Sequence, residues 1–223
     1  MNWEPLILTF QLALVVTLIL LLVATPIAYW LSQTKSRLKP IIETLVSMPL
    51  VLPPTVIGFY FLIAFSPHSG LGSWLNAVFG LKLVFSFTGL VIASVIYSLP
   101  FMVHPLQSGL SSISKSITEA SFVMGKSKWQ TLFKIQLPQI KPAILTGIVL
   151  SFAHTVGEFG VVLMIGGNIP GRTKVASIAI YDEVEALNYD AANYYSLILF
   201  AITFSILLVV YLVNGNLLKG IVK

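Results

Sequence analysis

Five apolar segments, each about 20 residues long, limit how this chain can fold more than any other feature. They lie roughly at 6–31, 41–65, 84–103, 142–165 and 194–215. Because a helix of this length and composition crosses the hydrocarbon core of a bilayer, the sequence predicts an all-α polytopic membrane helix bundle with about five transmembrane helices. The composition agrees with this prediction, since 57% of the residues are hydrophobic, 9% are charged and the mean hydropathy is +0.92.

The basic residues predict the orientation of these helices. Lys35, Arg37 and Lys39 fall in the short loop after the first segment, and short loops rich in lysine and arginine stay in the cytoplasm. The N-terminus is therefore expected outside and the C-terminus inside. Alternating spans then place ten of the 13 lysines and arginines in the cytoplasm, which supports a count of five. We expect a single transmembrane domain over residues 1–223.

Two connections are long enough to carry structure of their own. Pro100 and Pro105 are expected to lead the chain out of the third span into a cytoplasmic loop at about 105–141. An extracytoplasmic loop at about 166–193 follows the fourth span. Its apolar spacing over 175–187 predicts a short amphipathic helix across the outer mouth.

Several kinds of site are excluded by residue type and position. The chain has no cysteine, and its basic residues are too dispersed for a nucleic-acid surface. The three histidines, His68, His104 and His154, fall at different membrane levels, so no metal triad is expected. Gly125-Lys126-Ser127 resembles the end of a P-loop, but Ala120 stands where glycine is needed and no sheet follows. We therefore expect no catalytic residues, no metal and no cofactor in this chain.

The stretch 119–138 is the least apolar part of the chain, and it reads as two short helices separated by Gly125. Pro138 is expected to close the second helix. Such a pair could fit a groove in a partner protein, or it could rest on lipid headgroups. The residues alone favour neither interpretation.

Both of these helices carry a possible start signal. Ser116 precedes Glu119 by three residues, and Ser127 precedes Gln130 by three. This is the spacing of the capping box, in which the side chains at the two positions bond to each other's backbone N–H groups. The sequence therefore predicts two capped helices.

The second apolar segment is too rich in proline for a regular helix. Pro49, Pro53, Pro54 and Gly58 would free backbone carbonyls within the membrane. Irregular backbone at this depth is tolerated mainly where it lines a cavity, so we favour a pore-lining role over a kinked packing helix. Thr55 is the hydroxyl of interest there.

The fourth segment holds Glu158, a charged residue deep in an apolar run, with His154 four residues before it. Ionisable groups inside a membrane are costly and often functional. A proton relay, a substrate site and a structural role are all compatible with the pair. We favour a structural role, either as a polar pair or with Glu158 capping broken backbone beside Gly157 and Gly160.

One spacing resembles a known family. Glu119-Ala120-Ser121, then Gly125, then Ile135-x-Leu137-Pro138 match the EAA loop of ABC-importer permeases, with serine in the third position. Other stretches are similar to the molybdate/tungstate permease subunits of the ModB type, and the similarity covers nearly the whole chain. They are PLVLPPTVIGFYFL, Ser98 to Pro100, GEFGVVLMIGGNIPGRT and SIAIYDEVEA. Sulfate and thiosulfate permeases share the EAA loop and are the nearest alternative.

The resemblance implies a type I ABC-importer permease fold and a homodimer around one translocation path in a prokaryotic cell membrane. It also implies two cytoplasmic ATPase subunits, which bind ATP and Mg²⁺, and an extracytoplasmic oxyanion-binding protein. The residues that would couple this chain to the ATPase are those of the motif: Glu119, Ala120, Ser121, Gly125, Ile135, Leu137 and Pro138.

An oxyanion crossing such a pore should meet hydroxyls and few fixed charges, because tight binding would slow its release. The candidates for the path are Pro53, Pro54, Thr55, Ser94, Ser98, Ser151 and Thr155. Two other classes of function stay open: a secondary transporter that works alone through Glu158 and His154, and a membrane scaffold without transport.

Overall fold

The computed structural model describes residues 2–221, with side chains described for 2–212. The first half of the chain forms six helices: α1 Glu4–Gln33, α2 Lys39–Val51, α3 Pro54–Phe65, α4 Gly70–Phe79, α5 Phe87–Ser112 and α6 Lys115–Val123. The second half forms α7 Lys128–Thr131, a π-helical turn Leu132–Gln136, α8 Leu137–Gln139, α9 Lys141–Val156, α10 Gly160–Gly166, α11 Ala176–Glu185 and α12 Tyr189–Ile221. No strand occurs within 2–221, so the all-α prediction is confirmed.

The membrane-length segments appear in two forms. Three helices, α1, α5 and α12, are each long and apolar enough to cross a bilayer alone. The second predicted segment is instead a bent pair, with 112° between α2 and α3, and a second bend of 79° precedes α9. Counting each bent pair as one span gives five, as the hydropathy pattern predicts.

A central bundle of α1, α5 and α9 forms the core. Every third or fourth residue of α1 is buried, which puts one stripe of the helix against its neighbours. The stripe consists of Leu12, Val16, Leu20, Ala24, Ala28 and Leu31, each at most 1% exposed. The opposite side of α1 is apolar and exposed, as expected for a helix that faces lipid.

Helix α5 corrects one expectation. Pro100 and Pro105 do not end the third span, because the helix continues through both to Ser112. Residues on either side of Pro105 are fully packed, namely Met102, Val103, Leu106 and Leu110. This burial holds the helix together where proline removes backbone hydrogen bonds. The connection that follows therefore begins at Ile113 rather than near residue 105.

The two helices that follow breaks within the spans, α3 and α10, pack against each other. Helix α3, which follows Pro53, packs against α10, which follows the break after α9. A Cβ atom on Gly58 of α3 would lie 2.8 Å from Met164 Cβ and 3.1 Å from Val161 Cα of α10. A Cβ on Gly160 would lie 2.8 Å from Pro54 Cβ. Both glycines are therefore needed for the helices to approach this closely.

Two short helices lie outside the bundle. Helix α4 occupies the connection between the second and third spans, and it begins at the Ser69 cap and ends at Gly80, where φ is +65°. Helix α11 confirms the amphipathic helix predicted over 175–187, since Ile178 and Ala179 are buried. The backbone N–H of Ala176 donates to Thr9 Oγ1 at 2.7 Å, which fixes α11 to α1.

The contact between α3 and α10 can be tested with Gly58→Ala. The added methyl group forces the two helices apart, and overpacking of this kind costs about 1–3 kcal/mol. Gly70→Ala is the matched control, because a Cβ there meets no atom within 4 Å. Thermal unfolding of the purified protein should show a Tm several degrees lower for Gly58→Ala only. Equal Tm values for the two variants would contradict the close packing.

Candidate functional site

The segment from α6 to α8, which we call the two-helix segment (115–139), has two helical arms. The first arm is α6, and the second runs from α7 through the π-helical turn to α8. The arms are separated at Gly125, as predicted, and its φ of +76° lies in the left-handed region that favours glycine. A Cβ at Gly125 would meet nothing within 4 Å. Glycine is therefore required here for the backbone turn and not for space.

One of the two predicted capping boxes is present. Ser127 Oγ accepts a hydrogen bond from Gln130 N at 3.2 Å, and Gln130 Oε1 accepts one from Ser127 N at 3.0 Å. The predicted box at Ser116 and Glu119 is wrong. Helix α6 begins one residue before Ser116, so Ser116 lies inside the helix, and its hydroxyl is 2.7 Å from Ser114 Oγ.

Two contacts, one buried and one partly buried, hold the arms at a fixed angle. Ser121 Oγ lies 2.6 Å from Thr131 Oγ1, and both side chains are buried. Gln136 Nε2 donates to Thr118 Oγ1 at 3.2 Å, again from the second arm to the first. The serine in the third position of the motif therefore links the arms, which a pattern read along one helix could not show. Because buried hydrogen bonds are costly to leave unmade, the segment should move as one unit.

Pro138 lies near the end of the second arm, as predicted, since α8 ends one residue later at Gln139. The chain then bends by 79° at Ile140 and enters α9. The π-helical turn Leu132–Gln136 directly precedes α8. A wider π turn before proline relieves the clash between the proline ring and the preceding turn.

The two-helix segment carries large apolar side chains that are exposed. Val123 is 88% exposed and Trp129 is 61% exposed, and the Trp129 ring stacks on Phe133 with centroids 6.1 Å apart. Ile117 is exposed near the start of the segment, and we call the five exposed apolar residues around and after the turn the apolar face: Phe122, Val123, Met124, Trp129 and Phe133. Of the motif residues, Glu119, Ala120, Gly125 and Pro138 are also exposed, Ile135 and Leu137 are half-buried, and Ser121 is buried.

The sequence candidates in the spans fall into two groups. Pro53, Pro54 and Thr55 are exposed at the start of α3, beside the break between the helices. The other four candidates, Ser94, Ser98, Ser151 and Thr155, are buried between α5 and α9. Ser98 Oγ lies 3.2 Å from Thr155 Oγ1, and Thr155 Oγ1 donates to the Ser151 carbonyl at 2.9 Å. Ser94 Oγ and Ser151 Oγ have no hydrogen-bond partner among the described residues, so among the four hydroxyls only the contact of Ser98 with Thr155 joins the two helices. Within one subunit, none of the four hydroxyls faces an open surface.

His154 and Glu158 do not form the predicted polar pair. His154 Nδ1 is 2.9 Å from Ser98 Oγ, and its ring stacks on Phe101 with centroids 4.0 Å apart. Glu158 is buried, and neither carboxyl oxygen has a hydrogen-bond partner among the described residues. The physical reason is that α9 ends at Val156, so the two residues no longer share one helical face. The carboxyl group also does not cap the backbone at this break.

Acidic residues gather at the opposite end from the two-helix segment. Lys174 Nζ pairs with Asp182 Oδ2 at 2.5 Å, and Tyr181 donates a hydrogen bond to Glu185 Oε1. That hydrogen bond is the main reason why the pKa of Tyr181 is raised above its usual value. Glu183 on α11 is half-buried and Asp190 on α12 is exposed nearby.

Ser127→Ala should loosen the second arm. Loss of a capping box costs about 1 kcal/mol, so the backbone amides of α7 should exchange with solvent about five times faster. Ser116→Ala is the control, since its hydroxyl makes no cap, and it should leave these rates unchanged. Hydrogen–deuterium exchange followed by mass spectrometry measures both. Equal exchange rates in the two variants would contradict the capping assignment.

Comparison with known proteins relates this arrangement to transport. Residues 24–223 match the family described as the binding-protein-dependent transport system inner membrane component. The chain is 50% identical over 188 residues to the molybdenum transport system permease protein ModB of Azotobacter vinelandii, across 84% of this chain and 83% of the relative. It is 32% identical over 166 residues to the sulfate transport system permease protein CysT of Escherichia coli strain K12, across 74% of this chain and 60% of that protein.

Solved structures agree on the fold. The crystal structure of a bacterial ABC transporter involved in the import of the acidic polysaccharide alginate gives a TM-score of 0.77 at 18% identity, over 97% of this chain and 80% of that one. An inward-facing structure of the MetNI methionine ABC transporter gives 0.68 at 15% identity, over 99% and 94%. The matched family and the apolar helices make the protein a multi-pass membrane permease subunit. The chain belongs to the family of binding-protein-dependent transport system inner membrane components, as an ABC permease of the ModB type.

Proposed function

We propose that this chain forms the translocation path of an ATP-driven importer for molybdate or tungstate. It acts as a homodimer with two cytoplasmic ATPase subunits and an extracytoplasmic oxyanion-binding protein, in the cell membrane of a prokaryote. One observation carries this proposal: the two-helix segment holds the EAA-like motif on a rigid, exposed element with an apolar face. The permease itself needs no cofactor, because ATP and Mg²⁺ belong to the ATPase.

The apolar face supports docking to a protein. Amphipathic helices commonly bind by placing apolar side chains in a groove of the partner. The first arm ends in Val123 and Met124, which project next to the turn at Gly125. We propose that this tip enters a cleft of the ATPase and that Glu119 lies at its edge. The cytoplasmic location follows from the predicted orientation, which puts the lysines of this segment inside.

The break in the second span before α3 supports a translocation path at this place. Thr55 lies in the first turn of α3, where its own hydroxyl and N–H group and the helix dipole favour an anion. Pro53 and Pro54 carry no N–H, and the N–H groups of Val56 and Ile57 donate to the Pro53 carbonyl. A second copy of the chain would present the same turn from the other side, so two copies enclose a symmetric path. Few fixed charges there would allow the oxyanion to leave again. Since Ser94, Ser98, Ser151 and Thr155 are buried within one subunit, we assign them to helix packing.

The acidic residues around α11, which we call the acidic end, support delivery of the oxyanion by a binding protein. Asp182 is paired with Lys174, but Glu183, Glu185 and Asp190 leave a negative surface around α11. A free oxyanion would be repelled by this surface. A binding protein that docks here and releases the anion directly into the path avoids that repulsion.

Two alternatives have less support. A sulfate permease is indicated by the relatives named CysT, but their identity of 32–33% is well below the 50% of the molybdenum permease. A stand-alone secondary transporter would need a polar relay, and His154 and Glu158 do not contact each other.

Uptake into vesicles tests the substrate. With the ATPase and the binding protein present, ATP should drive accumulation of molybdenum and tungsten, measured by elemental analysis, and sulfate should compete poorly. Accumulation of sulfur alone would replace the proposal with the sulfate alternative. Uptake by the permease alone under a proton gradient would indicate a secondary transporter.

Trp129→Ala tests the docking face. Removal of an aromatic anchor from a protein interface costs about 2 kcal/mol, so the Kd for the ATPase should rise about 30-fold. Trp74→Ala is the control, because Trp74 is 53% exposed on α4, outside the two-helix segment. Binding measured with purified subunits in detergent should be unchanged in this control. If both variants bind the ATPase like the unmodified chain, Trp129 is not part of the interface.

A further inference from the structure

Helix α2 is held to its own subunit by very little apolar packing. Of its 13 residues, only Val46 is buried. Its other large apolar side chains are mostly exposed, namely Ile41, Leu45, Met48, Leu50 and Val51. In a membrane, close packing and hydrogen bonds hold helices together, because lipid covers apolar side chains as well as protein does. With so few packed side chains, α2 can separate from the bundle at small cost.

Two polar contacts join α2 to the second half of α5. Gln107 Nε2 donates to Glu43 Oε1 at 2.6 Å, and Ser47 Oγ lies 3.2 Å from His104 Nε2. Glu43 and Ser47 are four residues apart, and His104 and Gln107 are three apart, so each pair lies on one face of its helix. The two contacts are therefore about one helical turn apart on both helices. We call the Glu43–Gln107 and Ser47–His104 contacts the two rungs.

These contacts are reachable from solvent. They border a cleft of about 400 Å³ lined by Glu43, His104, Gln107, Ser108 and Ser111. Lys39 Nζ approaches Glu43 Oε1 at 3.8 Å from the same side. Half-exposed hydrogen bonds each contribute about 0.5–1.5 kcal/mol, because water can replace either partner. Both rungs can therefore open and close without unfolding either helix.

The C-terminal end of α2 is a joint. Leu52 and Pro53 have extended backbone, and the axis turns by 112° into α3. Helix α3 is fixed against α10 through Gly58. Any movement at this joint thus moves α2 and leaves α3 in place.

We infer that Glu43, Ser47, His104 and Gln107 form a releasable clasp that positions α2 during transport. The clasp rests on the proposed function, because its driving motion comes from the ATPase. Helix α5 ends at Ser112 and α6 begins at Lys115, so a push on the two-helix segment reaches His104 and Gln107 along one helix. Displacement of α5 opens the rungs, and α2 then swings about Pro53 relative to α3.

The absence of cysteine from the chain makes a direct test possible. Ser47→Cys with His104→Cys replaces one rung and leaves the Glu43–Gln107 bond in place. In the complete importer in vesicles, a short cleavable bis-methanethiosulfonate reagent should tie α2 to α5. The cross-link should lower ATP-driven molybdate uptake about tenfold, and reduction should restore it, since gating motions limit turnover. Full uptake by the cross-linked importer, or no recovery on reduction, would overturn the clasp.

A control pair and the nucleotide state complete the test. Trp74→Cys with Val78→Cys joins two exposed residues one helical turn apart on α4, outside the clasp and both proposed docking surfaces, and cross-linking there should leave uptake unchanged. Trapping the ATPase with ATP and vanadate should reduce the cross-linking yield of the Ser47–His104 pair. A yield that does not depend on nucleotide would overturn the clasp, whatever the uptake of the variant.

Gln107→Leu provides a second measurement with a different readout. Loss of the amide should lower the number of molybdate ions imported per ATP hydrolysed, while the ATPase stays bound to the complex. Ser108→Ala, which lines the same cleft outside the rungs, should keep the ratio of the unmodified importer. Equal ratios in the two variants would refute the clasp. If the unmodified complex neither binds the ATPase nor imports molybdate, the proposed function fails instead.

Discussion

The close contact between α3 and α10 is the interaction on which the rest of the structure depends. Both helices begin at breaks in membrane-length segments, where backbone groups lose their helical partners. Such breaks survive in a membrane only when protein or a water-filled cavity covers them. Gly58 and Gly160 let each broken helix cover the other. The regular bundle of α1, α5 and α9 can then support irregular backbone at the place where a solute would pass.

The two-helix segment connects two helices of this bundle, α5 and α9. Helix α5 leads into it through Ile113, and it leads into α9 through Ile140. Its arms are joined by the buried contact of Ser121 with Thr131. A force applied to its exposed tip therefore reaches two helices of the core at once. This arrangement can couple an ATPase to the translocation path, because an ATPase at the tip and a solute among the core helices act on the same rigid element.

Much of the fold could be predicted because the bilayer imposes strict rules on length and polarity. Hydropathy predicted the five segments, and spacing predicted the turn at Gly125 and the box at Ser127. The errors arose where packing overrides local preference. Pro105 stays within α5 because its neighbours are buried. The capping box expected at Ser116 is absent because α6 already begins at Lys115. Contacts between distant residues, such as Gln107 with Glu43, leave no local pattern in the sequence.

The central claim is that the tip of the two-helix segment is covered by an ATPase. Thiol labelling measures this directly, because Val123→Cys would place a single reactive group on that tip, where the native side chain is 88% exposed. We predict rapid labelling of the permease alone and strong protection after the ATPase is added. Val78→Cys on α4, where the native side chain is 56% exposed, should label equally in both cases. Labelling of Val123→Cys at the same rate with and without a bound ATPase would contradict the account.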